Sequence, residues 1–186
     1  MKEKCMICRN APVLKSTDGV IPLFSYRLWN RELMFRWKMK EEREFSPLFA
    51  KLLCEVLREC GERILVPVPP RKGKILKKGW DQIEEVCSFL EKRYGFRVLR
   101  ILERNTVGQQ KKLSRLQRLE SIKNAYSLCK APLLERALKP FEGRLPESLC
   151  LIDDVCTTGS TLESCASLLK EAGVQKVSAF TLFTVD

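Results

Sequence analysis

The strongest constraint on the fold is the stretch from Leu149 to Thr161, which reads LCLIDDVCTTGST. Its apolar start is typical of a strand that is buried on both faces, as the central strands of parallel sheets are. The adjacent acids Asp153 and Asp154 follow, and small hydroxyl residues around Gly159 then lead into a helical pattern. The stretch therefore predicts a central strand, a turn and a helix start in direct succession.

The residues that follow this strand suit a phosphorylated sugar. Open α/β sheets bind ligands at the carboxyl ends of their strands. Backbone N–H groups at a helix start attract a phosphate dianion, and Gly159 lets the backbone approach it closely. Asp153 and Asp154 repel each other unless a ligand shares them, and carboxylates suit sugar hydroxyls. A buried strand with a capped helix and no ligand would leave this acidic pair unexplained. The residues of the candidate phosphate loop are Thr157, Thr158, Gly159, Ser160 and Thr161.

A second candidate anion site follows the segment RILVPVPP, which predicts a short buried strand that ends at its prolines. The next residues, RKGKILKKGWDQ, are strongly basic and include Arg71, Lys72 and Lys74. This loop is either a solvated basic turn or a diphosphate-binding loop. Its place at a strand end favours the diphosphate-binding loop.

The basic segment from Glu103 to Tyr126 has two interpretations that are compatible with each other. The first is a mobile lid that closes over a phosphorylated substrate and excludes water. The second is a basic surface helix with its leucines on one face. A disordered first half with a helical second half would satisfy both. The candidate lid residues are Arg104, Gln109, Gln110, Arg115 and Arg118.

The N-terminal region contains two features with open alternatives. Cys5 and Cys8 have the spacing of a zinc half-site, but closed structural zinc sites need four ligands. The pair is therefore a half-site completed by another chain, a redox pair or a remnant. The basic, aromatic stretch from Val20 to Trp37 either packs on the domain as an amphipathic element, which we favour, or stacks on single-stranded nucleic acid.

Local signals also place the remaining elements. Ser46 is the expected N-cap of a helix whose buried stripe includes Cys60, and Asp81 is the expected N-cap of the next helix, which Gly95 ends. Residues 96–102 are a strand candidate that would complete a parallel βαβ unit. Residues 128–147, with three prolines, are expected to form an irregular connection.

Composition narrows the chemistry and the partners. Lys plus Arg number 34 against 23 Asp plus Glu, and this net charge of +11 favours phosphorylated or nucleic-acid partners. The chain contains no histidine, which excludes a histidine base and histidine metal ligands. Nine cysteines spread through core elements indicate reduced thiols. With no signal peptide and no apolar run near the roughly 20 residues of a membrane span, we expect a cytoplasmic protein without a membrane partner.

Taken together, these motifs are similar to the ComF family of competence-protein-like type I phosphoribosyltransferases. The carriers are IDDVCTTGST, VPVP with the downstream KGWDQ, and TVGQQKKLSRLQR followed by NAY. The resemblance implies an α/β class with the type I phosphoribosyltransferase fold, a mainly parallel twisted sheet flanked by helices. A Cys-containing N-terminal module over residues 1–25 would precede the α/β domain over 26–186. The zinc module of the family is cut here to one cysteine pair, so Zn²⁺ is doubtful.

The resemblance also implies a function. Phosphoribosyl diphosphate (PRPP) with Mg²⁺ would be the donor, and an unidentified nucleophile would be the acceptor. Asp153 and Asp154 would hold the ribose as the catalytic pair, the loop from Thr157 to Thr161 would hold the 5-phosphate, and the loop after Pro70 would hold the diphosphate. The alternatives are an accessory protein that handles single-stranded DNA, and a PRPP-binding regulator. A homodimer is a candidate assembly.

Overall fold

The computed structural model describes residues 14–27, 29–70, 79–105 and 125–185. In chain order, its elements are β1 (Gly19–Ser25), α1 (Trp29–Lys38), α2 (Phe45–Glu59), β2 (Ile64–Pro67), α3 (Gln82–Tyr94), β3 (Arg97–Val98), β4 (Leu102–Arg104), β5 (Tyr126–Leu128), α4 (Ala131–Leu138), a 3₁₀ turn (Lys139–Phe141), β6 (Ser148–Cys156), α5 (Ser160–Glu171) and β7 (Lys176–Thr184). None of the described helices is long and apolar enough to cross a lipid bilayer.

Within the described residues, a five-stranded sheet has the order β1-β7-β6-β2-β3, and all its neighbouring strands run parallel. Strand β6 lies at the centre, as the apolar run predicted, with Ile152 opposite Phe180 of β7 and Leu65 of β2 opposite Cys150. The α/β class with a parallel sheet flanked by helices is therefore confirmed. Strand β1 belongs to this sheet, although it lies within the span 1–25 that we assigned to the appendage.

The sheet separates two apolar cores because successive side chains of a strand point to opposite faces. On one face, Ile152 of β6 and Phe180 of β7 pack with α2 and α3, together with the fully buried Trp37 of α1. On the other face, Leu151 packs with α5 and the hairpin of β4 and β5. All four residues from Leu149 to Ile152 are fully buried and pack in the two cores. The following part of β6, from Asp153 onwards, is partly exposed and could contact a ligand.

Two of the expected helix details are wrong and two are confirmed. Ser46 is not the N-cap of α2: it lies inside the first turn, buried, where its hydroxyl accepts a hydrogen bond from the Trp37 indole at 2.9 Å. Cys60 is exposed because it follows the last helical turn, and the core position passes to Leu57. Asp81 does cap α3, accepting from the backbone N–H groups of the first turn, and Gly95 ends it in the left-handed conformation.

The strand expected over 96–102 is divided between two sheets. Only Arg97–Val98 joins the parallel sheet, and Leu102–Arg104 pairs antiparallel with Tyr126–Leu128 as a separate hairpin. Residues 128–147 are less irregular than expected, because Pro132 occupies the first turn of α4, where its missing N–H costs nothing. The cysteines within the described residues are all free thiols.

Candidate functional site

A cavity of about 400 Å³ opens at the carboxyl edge of the sheet, where β2 and β6 end side by side. Carboxylates, cations, hydroxyls and apolar groups all contribute to its wall. Its lining residues are Lys38, Val68, Pro69, Pro70, Asp81, Ile83, Arg104, Tyr126, Asp153, Asp154, Val155 and Thr161. The mixture suits a polar ligand that presents hydroxyl groups and negative charge on different sides.

The acidic pair ends the buried part of β6, and its two side chains face different neighbours. Asp154 forms an ion pair with Lys38, the last residue of α1, while its backbone N–H donates to the Asp153 carboxylate at 2.8 Å. Burial, followed by the charge of Asp154, raises the pKa of Asp153 to about 7, against the opposing effects of that N–H and of Lys38. The free protein therefore holds a carboxylate that a hydroxyl-bearing ligand would stabilise.

The candidate phosphate loop forms the turn between β6 and α5. Gly159 has a φ of 76°, a conformation that glycine adopts without strain, and it is the N-cap of α5. The Thr158 hydroxyl contacts the Ser160 hydroxyl at 2.9 Å, so the side chains of the turn brace one another. By helix geometry, the N–H groups of the first turn of α5 have no intrahelical acceptor, and groups of this kind attract an anion. The Ser160 N–H donates only a long hydrogen bond, 3.4 Å, to the Thr158 hydroxyl.

An N-terminal strap, residues 14–18, lies along α5 and supports this turn from outside. The Glu163 carboxylate accepts hydrogen bonds from the backbone N–H of Ser16 at 2.7 Å and from that of Thr17 at 3.2 Å. Leu14 covers the glycine of the turn so closely that a Cβ at Gly159 would lie 3.0 Å from its Cδ2 atom. The strap thus fixes both the start of the helix and the glycine that begins it.

The hairpin of β4 and β5 forms the opposite wall. The Arg104 guanidinium lies over the Tyr126 ring, 5.4 Å from its centroid, and both residues line the cavity. Tyr126 is 6% exposed, and its hydroxyl makes no hydrogen bond of ordinary geometry within the described chain, although Thr161 is nearby. The hairpin therefore presents a cation and an unpaired buried hydroxyl to the site.

The structure brings together part of the set predicted from sequence. Asp153, Asp154, Thr161 and Arg104 line one cavity, and residues 157–160 form the turn beside it. The remaining candidates lie outside the described residues: Cys5, Cys8, Arg71, Lys72, Lys74, Gln109, Gln110, Arg115 and Arg118.

Three polar residues of the cavity were not assigned to it from sequence. Lys38 lies one residue beyond the amphipathic stretch and was given no role, Asp81 was treated as a helix cap and Tyr126 as the end of the lid segment. The KGWDQ and NAY motifs already contained Asp81 and Tyr126, which was a usable signal. Nothing local marks Lys38, because it reaches Asp154 across more than a hundred residues of sequence.

The stretch from Val20 to Trp37 divides into a packed part and an exposed part. Strand β1 joins the sheet and Trp37 is fully buried, 4.8 Å from the Phe49 ring, which confirms the amphipathic interpretation for these residues. Trp29 at the start of α1 is 85% exposed, and it lies between the exposed Arg27 and Arg31. This end of α1 therefore still presents an aromatic ring and positive charge to solvent.

Comparison with known proteins gives two relatives. The chain is 26% identical over 186 residues to competence protein ComFC of Streptococcus pneumoniae, covering 98% of this chain and 76% of that protein. It is 24% identical over 159 residues to competence protein F of Haemophilus influenzae, covering 81% of this chain and 66% of that protein. No protein-family model matches the chain. Over nearly its whole length, the chain is thus similar to competence proteins of the ComF type.

Proposed function

We propose that this protein is a phosphoribosyltransferase of the type I fold, which binds PRPP with Mg²⁺ and transfers its phosphoribosyl group to a nucleophile. One observation carries the proposal: the acidic pair in the second half of the central strand and Thr161 in the first turn of α5 line the same cavity. Neither feature alone requires a ligand. Together they suit the two ends of a ribose 5-phosphate, which presents hydroxyls at one end and a dianion at the other.

Each part of the donor has a matching group. The N–H groups at the start of α5 would hold the 5-phosphate, and Asp153 and Asp154 would accept hydrogen bonds from the ribose 2'- and 3'-hydroxyls. The loop with Arg71, Lys72 and Lys74 follows Pro70, which lines the cavity, so it is the proposed contact for the diphosphate. Arg104 adds a cation from the hairpin side.

The chemistry requires positioning and charge stabilisation more than proton transfer. The bond between C1 of the ribose and the diphosphate oxygen breaks as the acceptor attacks C1, through a state with positive charge on the sugar. Asp153 and Asp154 fix the ring and place negative charge beside it. Their carboxylate oxygens are also the ligand type that Mg²⁺ prefers alongside substrate oxygens, and the pair would hold the ion through its water shell. When bound, the ion neutralises charge on the leaving diphosphate.

The test is calorimetric titration of the full chain with PRPP in the presence of Mg²⁺. We expect saturable binding by the wild-type protein, and at least about tenfold weaker binding by the variant with Asp153→Asn and Asp154→Asn, because hydrogen bonds to charged groups are lost. Glu91→Gln is the matched control, since Glu91 lies on α3, pairs with Arg100 and does not line the cavity. Absence of binding by the wild type, or equal binding by the double variant, contradicts the proposal.

The exposed start of α1 favours a second candidate function, which is binding of single-stranded DNA. Aromatic rings flanked by arginines bind single strands by base stacking and phosphate contacts. Trp29 provides the ring, and Arg27 and Arg31 provide the charge on a chain that carries +11 overall. The names of both relatives place them in competence, which fits such a role.

Fluorescence polarisation with a labelled oligonucleotide tests this second function. We expect binding that weakens steeply with salt, and a loss of at least about fivefold in affinity on Trp29→Ala, the lower end of the range for one stacked base. Leu133→Ala is the control, because Leu133 is another exposed apolar residue, 57% exposed, on α4. If the wild type does not bind at low salt, or Trp29→Ala binds as well as Leu133→Ala, this function is excluded for α1.

A further inference from the structure

The hydroxyl of Tyr126 is the polar group in the cavity wall that packing does not explain. The tyrosine is 6% exposed, and its Oη atom makes no hydrogen bond of ordinary geometry with the described residues, although the Thr161 side chain lies close enough to act on its pKa. Buried hydroxyls are normally paired, because leaving one without a partner costs free energy. A phenylalanine would fill the same place among Leu162, Cys165 and their neighbours in the core. The fold therefore needs the ring of Tyr126 but not its hydroxyl oxygen. This oxygen indicates a hydrogen-bond partner supplied by a bound ligand.

The position of this hydroxyl identifies the partner's chemistry. Tyr126 begins β5, its ring lies under the Arg104 guanidinium, and its hydroxyl is near Thr161, the residue with which the candidate phosphate loop enters the cavity. The ligand group nearest to this corner would be the one held by the start of α5. In the donor that we propose, that group is the 5-phosphate.

The electrostatics of the corner make Tyr126 a hydrogen-bond donor. Burial raises the pKa of its hydroxyl, so the group keeps its proton at neutral pH. Arg104 adds positive charge on the same wall, which favours an anion as the acceptor. The Asp153 carboxylate also lines the cavity, but it accepts no hydrogen bond from Tyr126.

We propose that the Tyr126 hydroxyl donates a hydrogen bond to the 5-phosphate of the bound pentose, opposite the N–H groups of the Thr157 to Thr161 turn. This inference rests on the proposed function and adds a contact from a different element, the hairpin. The 5-phosphate would then be bound between α5 and β5. A residue at the base of the hairpin would then make the binding affinity depend on the presence of the 5-phosphate.

Tyr126→Phe isolates this contact, because it removes one oxygen and keeps the ring beneath Arg104. We expect binding of Mg-PRPP to weaken at least about tenfold, the lower end of the range for a hydrogen bond to a charged acceptor. Binding of Mg-diphosphate, which has no 5-phosphate, should stay unchanged. The melting temperature of the unliganded variant should equal or exceed that of the wild type, since an unpaired buried group is removed. Tyr94→Phe, on α3, is the matched control and should change none of these values.

The outcomes separate this inference from the function on which it rests. If the wild type does not bind Mg-PRPP, both fall. If the wild type binds and Tyr126→Phe binds equally well, the inference alone is overturned. If Tyr126→Phe weakens Mg-PRPP and Mg-diphosphate by the same factor, or melts well below the wild type, the hydroxyl serves the structure and not the 5-phosphate, and the inference is again overturned.

Discussion

At the scale of single residues, the unliganded site contains unfavourable interactions that a bound ligand would relieve. Asp153 is half-buried beside another carboxylate, and one lysine, Lys38, is paired with the second acid. The Tyr126 hydroxyl is buried without a partner among the described residues. The raised pKa of Asp153 and the unpaired Tyr126 hydroxyl each cost stability in the free protein, and groups that cost stability are kept where binding or chemistry uses them.

Asp153→Asn should stabilise the free protein above neutral pH. The raised pKa of Asp153, about 7, means that the folded state holds its proton more tightly than the unfolded chain does. Wild-type stability is therefore lost as the pH rises from the unfolded pKa, about 4, towards the folded one. The free energy of unfolding of the variant should exceed that of the wild type by more at about pH 8 than at about pH 5, as urea titrations would measure.

Asp18→Asn provides a control with the opposite sign. Partial burial acts to raise the pKa of Asp18, but the Lys170 ammonium and the backbone N–H of Val177 lower it overall. Its contribution to stability is present above the unfolded pKa and is lost as the pH falls. The control variant should therefore be less stable than the wild type by nearly the same amount at both pH values, with the difference shrinking only as the pH falls below about 4. A stability difference for Asp153→Asn that is the same at both pH values would contradict the assignment of the raised pKa.

At the scale of elements, local patterns predicted what depends on neighbours in sequence. The central strand, the turn at Gly159 and the Asp81 cap each follow from a few consecutive residues. The errors arose where a distant partner decides. Ser46 has the composition of a cap, but the Trp37 indole draws it into the core. The strand expected over residues 96–102 was divided because Leu102–Arg104 pairs with the distant β5.

The same limit applied to the candidate site. The acids and the phosphate loop share one continuous motif, so their proximity could be predicted from the sequence. Lys38 and Tyr126 enter the cavity from α1 and from the hairpin, and only the folded chain shows that they meet there. Residues of this kind carry no signal of their own in a single sequence, because a lysine at a helix end or a buried tyrosine is ordinary in any fold.

The strap and α5 together resolve an electrostatic conflict at the phosphate loop. Glu163 lies in the first turn of α5, where its negative charge favours the helix but would repel a phosphate at the same end. Partial burial acts to raise the pKa of Glu163, but the hydrogen bonds from Ser16 and Thr17 lower it overall. The hydrogen bonds from the strap thereby hold the Glu163 carboxylate against the side of α5. The first-turn N–H groups of α5 then remain the nearest partners for an anion.

At the scale of the whole molecule, one strand joins the two cores to the cavity. Strand β6 packs against helices on both faces of the sheet, and the cavity begins where its buried segment ends. Helix α1 and α5 each contribute one residue to the wall and the hairpin contributes two, although these elements belong to different parts of the fold. A ligand that contacts all of them would link these parts and should stabilise the molecule as a unit.

Mg-PRPP should therefore raise the melting temperature of the whole chain. At about 100 times its dissociation constant, a ligand adds about 2.7 kcal/mol to stability, which is roughly 5–10 °C for a domain of this size. Differential scanning fluorimetry would measure the shift. The chain carries a net charge of +11, so any polyanion could give part of this effect, and magnesium tripolyphosphate is the necessary control. Mg-PRPP differs from tripolyphosphate in carrying a pentose that the acidic pair would bind. Near pH 8, the unliganded Asp153→Asn variant should melt at a higher temperature than the wild type. Mg-PRPP should raise its melting temperature by no more than magnesium tripolyphosphate does. A shift in the wild type that both anions reproduce equally would mean that the cavity does not recognise the sugar.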